Sequence, residues 1–282
     1  MAPTGKYAKK RTRQRGKATL GFAVVLLSAL IIGIVRMCSA PEPYEGTSLP
    51  SNPYTDSEFV MQNGLLTVPG ENTRNGIDVS SHQGSIDWEQ VADAGIQFAM
   101  IRVGYRGYSE GDLHEDANAR ENYRNAGEVG LQRGVYLYSQ AISPEEAREE
   151  AEFVLDFLGD QVPELPVVFD WEYVSRDART GAVSGSTMTD CALAFCQVIR
   201  DAGLEPMIYF NQDLVSTRLD LTAVQDYGFW LAQYRSQLTF PVEVAMWQYT
   251  DSGTLPGIEG KVDMDLLFLP EKTGDFSDFS EE

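Results

Sequence analysis

At 282 residues, 43% of them hydrophobic and 23% charged, the chain is long enough for one large domain plus an appendage and has a globular composition. Its charge is unevenly placed: removing the eight basic residues up to Arg36 leaves 14 basic against 42 acidic residues, a net of −28. That excess repels phosphates and excludes nucleic acid as a partner.

Residues 1–17 form a basic head, with Lys6, Lys9, Lys10, Arg11, Arg13, Arg15 and Lys17 and no acidic residue. Ala18 to Val35 is then an 18-residue apolar run. As a helix it is about 27 Å long, just enough to cross a hydrocarbon layer. Positive charge before such a run keeps the N-terminus cytoplasmic and exports the rest of the chain, so residues 18–36 read as a transmembrane anchor. The alternative is a cleaved signal peptide, for which Cys38-Ser39-Ala40 before Pro41 is a poor site. Arg36 and Met37 stand where lipidation at Cys38 would want small residues. Both main readings place the remainder outside the cytoplasm, as a single-pass membrane protein or a secreted one.

Residues 37–74 are rich in Pro, Ser, Asn, Thr and Gly and read as a flexible extracellular stalk. Over 75–270, short apolar runs alternate with helical patterns. Eight stretches are candidate strands: Gly76–Ser80, Gln97–Val103, Gly134–Gln140, Leu165–Trp171, Met207–Phe210, Phe229–Tyr234, Val244–Tyr249 and Val262–Phe268. Runs such as Val167-Val168-Phe169 lack alternation, as expected of strands covered on both faces. Ser143, Pro144 and Glu146 spell the start of a helix with a capping box, and Ala147, Ala151, Val154, Leu155 and Leu158 mark its apolar face. A second helix spans Thr189 to about Ala202, with Cys191 and Cys196 facing different directions as buried thiols. His82 and His114 are the only histidines, so neither a metal site nor another cofactor is expected.

Nine residues separate Tyr234 from Val244 and twelve separate Tyr249 from Val262. A parallel crossover with its helix needs about 10–12. The expected fold class is therefore α/β: a single modified (β/α) barrel, with regular βα units first and helix-poor strands last. Residues 271–282 make an acidic tail.

Asp170 and Glu172 close an apolar strand two residues apart, so their side chains share a face about 7 Å apart at the backbone. In a parallel barrel that end is the mouth, where catalytic groups gather. One protonated carboxyl and one negative group are what glycosidic cleavage requires, and two close carboxylates disfavour joint ionisation. A solvated strand end is the alternative. Asp78 ends the first strand and Asp263 lies in the last, which adjoin in a closed barrel. Tyr105, Tyr136, Tyr138, Tyr209, Trp230, Tyr234 and Trp247, with Gln233 and Gln248, cluster near strand ends as a carbohydrate cleft would require.

The segment Gly76-Ile77-Asp78-Val79-Ser80-Ser81-His82-Gln83-Gly84 resembles the opening motif of glycoside hydrolase family 25, the cell-wall muramidases. Ile101-Arg102-Val103-Gly104-Tyr105, Gly134-Val135-Tyr136-Leu137-Tyr138, Asp170-Trp171-Glu172, Trp230-Leu231-Ala232-Gln233-Tyr234, Met246-Trp247-Gln248-Tyr249 and Val262-Asp263-Met264-Asp265 continue it in family order. The resemblance implies hydrolysis of the β-1,4 bond between N-acetylmuramic acid and N-acetylglucosamine by a monomer acting on peptidoglycan strands. It also implies Glu172 as general acid and Asp170 as the group that orients the substrate's 2-acetamido nucleophile or acts more directly. Asp78 and Asp263 would hold the charge pattern of the cleft. Ala119 and Leu137 depart from the pattern and are expected to alter cleft shape. A glycan-binding protein without turnover, and a glycosidase for another 2-acetamido polymer, stay open as alternatives.

Overall fold

Following the chain through the computed structural model, which describes residues 49–55 and 57–269, the first element is a hairpin of β1 (Val60–Gln62) and β2 (Leu65–Thr67). Then come β3 (Thr73–Val79), α1 (Trp88–Asp93), β4 (Phe98–Arg106), β5 (Leu113–Glu115), α2 (Ala119–Glu128) and β6 (Gln132–Ser139). The second half holds α3 (Pro144–Leu158), β7 (Val167–Trp171), α4 (Gly185–Asp201), β8 (Pro206–Asn211), α5 (Gln212–Thr217), β9 (Gly228–Ala232), β10 (Met246–Gly253) and β11 (Val262–Phe268). Each of the eight expected strands overlaps an observed one; β5 was not expected and extends the sheet beside the end of β4. The basic head, the apolar run 18–36 and the tail from 271 lie outside the described residues. Among the described residues, no helix is long and apolar enough to cross a membrane.

Strands β3, β4, β6, β7, β8, β9 and β10 run parallel in that order, and β11 closes the barrel antiparallel to both β10 and β3. Alternate residues therefore enter two separate apolar layers. Phe98, Met100, Val168, Met207, Met246 and Leu267 fill the interior. Val167, Phe169 and Trp171 point outward against the helices, where Phe169 meets Phe195 of α4 with ring centroids 5.1 Å apart. Both faces of β7 are covered, which is why its sequence runs apolar without a break. Gly76 faces inward on β3, where a Cβ would overlap the Phe98 ring; glycine here makes room for the interior plug.

Ser143 caps α3 as expected, accepting from the Glu146 N–H. The Glu146 carboxylate does not complete the box. It accepts from the Ile142 N–H and from Arg179 instead. Helix α4 starts earlier than its apolar periodicity suggested, at Gly185, because Ser184 caps it. Cys191 and Cys196 are buried free thiols on it.

The helix-poor end is covered from an unexpected source. Phe59, just before β1, packs edge-on against Trp247 at 5.1 Å, and Tyr54 stacks on Phe268 at 4.2 Å. Asn52 bonds the carbonyls of Phe240 and Pro241, and Leu49, Leu66 and Val68 join the outer core. From Leu49 onward, the segment read as flexible stalk is thus part of the folded barrel. Its apolar residues shield the outer faces of β10 and β11, where no helix crosses.

Candidate active site

The C-terminal ends of the parallel strands open on one mouth. Because β11 runs the other way, its start lies at that same mouth, and Asp263 stands in register opposite Asp78. A parallel β11 would have carried Asp263 to the far end. Asp78 on β3, Asp170 on β7, Glu172 just past β7 and Asp263 on β11 line one cavity of about 190 Å³. Tyr136 and Tyr138 from β6, Tyr209 from β8, Trp230 from β9 and Gln248 from β10 share it, as does Tyr234. All four predicted acids and six of the predicted binding residues are therefore brought together.

Hydrogen bonds fix this wall. Gln248 Nε2 donates to Asp78 Oδ2 at 2.7 Å, while its Oε1 accepts from the hydroxyls of Tyr209 and Tyr234, each at 2.9 Å. The backbone of Glu172 is held by the fully buried Gln140, whose Nε2 donates to the Glu172 carbonyl at 2.8 Å. Trp171 Nε1 donates to the Ala141 carbonyl at 2.9 Å and pins the same strand end. Asp170 is buried, and its Oδ1 has no hydrogen-bond partner among the described residues.

The acids perturb one another. Burial, followed by the charge of Asp263, pushes Asp78 up to about 8. Burial, then Glu172 and Asp78, holds Asp170 well above the ordinary carboxyl range. Glu172 is raised by burial and by Asp263, and Asp263 itself is pushed up to about 6 by burial and Asp251. Arg102 reaches the cavity wall but is committed to Asp116 by bonds of 2.7 and 3.0 Å, so it only partly offsets this cluster. The site keeps protons at pH values where isolated carboxyls have lost them.

Three predicted residues lie outside the cavity. Trp247 is fully buried in the outer layer and donates from Nε1 to the Gln233 carbonyl at 2.8 Å. Gln233 is buried too, its Oε1 accepting from the Thr239 N–H. Both hold the β9–β10 connection, and Trp247, next to Gln248 on β10, necessarily faces the other way. Tyr105 stacks on His114 at the end of β4, beyond the cavity. Trp230 is only 1% exposed and its N–H is taken by Asp265, so it forms the floor and offers no open stacking face. Ala119 and Leu137 both belong to the outer core, so neither shapes the cavity.

Sequence reasoning missed Ser80, His82, Gln83 and Arg102, which also line the cavity, and Asp265 beneath it. Arg102 follows Phe98 and Met100 at period two, and Asp265 follows Asp263 likewise; inward alternation was the available signal. Asp265 is fully buried; its Oδ1 accepts from Trp230 Nε1 at 2.9 Å, and its Oδ2 has no hydrogen-bond partner among the described residues. Burial, followed by the charge of Asp78, holds Asp265 well above the ordinary carboxyl range.

The sequence pattern described as Glycosyl hydrolases family 25 matches residues 77–258. A protein of Escherichia coli K12, YegX, is 30% identical over 211 residues, covering 72% of each chain. Lysozyme M1 of Streptomyces globisporus is 27% identical, over 86% of this chain and 89% of that one. Among solved structures, the modular autolysin LytC from Streptococcus pneumoniae, in complex with a synthetic peptidoglycan ligand, is similar with a TM-score of 0.63 and 25% identity. That alignment covers 76% of this chain and 52% of the autolysin chain, so the present chain spans about half the length of that structure. With its acids gathered at one barrel mouth and the family pattern spanning most of the barrel, the chain belongs to glycoside hydrolase family 25.

Proposed function

We propose that the protein hydrolyses the β-1,4 bond between N-acetylmuramic acid and N-acetylglucosamine in peptidoglycan, outside the cytoplasm and tethered by residues 18–36. The observation that carries this reading is a half-buried Glu172 that lines one cavity with Asp78, Asp170 and Asp263, its carboxyl raised above the ordinary value by burial and by Asp263. The lysozyme and autolysin relatives support the substrate; the basic head before an apolar run supports the tether.

Glu172 donates its proton to the glycosidic oxygen as the bond to the anomeric carbon breaks. The unpartnered Asp170 Oδ1 suits an amide N–H, and a 2-acetamido group held there presents its carbonyl oxygen to that carbon. The oxygen closes an oxazolinium ring; water, deprotonated by Glu172, then reopens it. Asp263 ionises before Asp78 does, and its negative charge favours the positive sugar centre.

Mass spectrometry of digested, borohydride-reduced peptidoglycan tests the assignment. Reduced muramic acid ends are expected from the wild type. Reduced glucosamine ends, or products from chitin alone, would replace this substrate with another. Glu172→Gln is expected to lower turnover by about 10²–10⁴-fold with folding intact. Carbonate extraction and protease protection in intact cells test the tether: a pelleted, externally cleaved barrel is expected, and a soluble intact chain would refute it.

A further inference from the structure

A separate cleft of about 310 Å³ opens against the loop that joins β3 to α1. Ser80, His82 and Gln83 of that loop line the acid-lined cavity, whereas residues 84–86 line the cleft, so one loop serves both spaces. The opposite wall is one face of α2, with Asn118 at its N-cap and then Glu121, Asn122 and Asn125 at helical spacing. None of these four lines the acid-lined cavity.

The α2 wall is made of amides whose hydrogen-bonding capacity is half used. Asn118 Nδ2 donates to the Gly84 carbonyl at 2.8 Å, which leaves its Oδ1 as an acceptor. Asn125 Oδ1 accepts from Arg124 at 3.2 Å, which leaves its N–H₂ as a donor. Asn122 is only 3% exposed, and its Nδ2 has no hydrogen-bond partner among the described residues. A buried donor without an acceptor is destabilising, and folds keep one where something else supplies the acceptor. One acceptor and two donors along a helix suit a chain with its own alternating N–H and C=O groups. At 1.5 Å of rise per residue, Asn118 and Asn125 stand about 10 Å apart along the axis, the reach of about three extended peptide residues. A sugar fits less well, since it stacks on an open aromatic face: Trp88, the only aromatic residue lining the cleft, is 4% exposed. Glu121 adds a negative charge that suits a free amino group on such a peptide.

We propose that this cleft binds the peptide carried by the muramic acid unit, through its main-chain amides, and makes the protein select peptide-bearing over bare glycan. The inference rests on the glycosidase reading above, under which muramic acid occupies the acid-lined cavity. Its peptide hangs from the lactyl group of the ring and needs only to pass the β3–α1 loop to enter the cleft.

Glycan strands of one length, with their peptides intact or removed by an amidase, isolate the contribution of the peptide. For the full-length protein, kcat/KM is expected to be about 10-fold higher on the peptide-bearing strands, the effect of one or two hydrogen bonds held in the transition state. Asn122→Ala and Asn125→Ala are each expected to lower that ratio by about 3-fold or more. Asn125 is half-buried, so its variant carries the test if Asn122→Ala fails to fold. A wild-type ratio within about twofold of one would overturn the assignment. So would folded variants that lower both activities equally and keep the ratio, the mark of a structural role or a sugar site. Wild-type protein inert on both substrates would instead overturn the glycosidase reading, and this assignment with it.

Discussion

Asp265 stands two residues along β11 from Asp263, yet it serves a different purpose. Wholly buried beneath the cavity, it accepts one bond from Trp230. Asp265→Asn keeps an acceptor for the Trp230 N–H, whereas Asp265→Leu removes it. We expect Asn to retain most activity and Leu to lose about 10-fold, the effect of leaving one buried donor unpaired in the cavity floor. Equal kcat values for the two variants would contradict this. The acidic pair Asp170 and Glu172 was legible in the sequence because two residues of one strand share a face. The Asp265–Asp78 pair was not, since it depends on how two distant strands align. Trp247 was misread for a related reason: beside Gln248 in the chain, it occupies the opposite face of the sheet.

At the level of elements, the apolar runs and turn residues marked all eight barrel strands, and the short late connections marked a departure from the regular repeat. Direction was hidden, because period and composition are the same for a strand read up or down. The reversal of β11 is nevertheless what lifts Asp263 to the mouth. The hairpin was hidden by its polar turns, although Phe59, Leu66 and Val68 supply the cover that helices give elsewhere. Phe59→Ala is expected to destabilise the barrel by about 3 kcal/mol in urea unfolding. A loss below about 1 kcal/mol would mean the segment is dispensable.

Across the whole molecule, the concentration of buried acids ties stability to pH. Asp78 and Asp263 have folded values of about 8 and 6 against an ordinary 3.8, so between those values the folded state binds more protons than the unfolded chain. Their contribution is fully present below 3.8 and is lost as pH rises through 6 and 8. The overall charge of −20 acts in the same direction, since protonation relieves repulsion. The melting temperature is expected to be higher at pH 5.5 than at pH 8, and Asp78→Asn should flatten the difference; a protein more stable at pH 8 would show that other groups dominate. Burial and the Asp263 of this same cluster raise Glu172 above the ordinary carboxyl value, and on this the chemistry depends. Carbon NMR of the Glu172 side-chain carboxyl, assigned by comparison with Glu172→Gln, measures it directly. It should titrate above the ordinary 4.5, and Asp263→Asn should lower the midpoint. A midpoint at or below 4.5, insensitive to Asp263, would contradict the account.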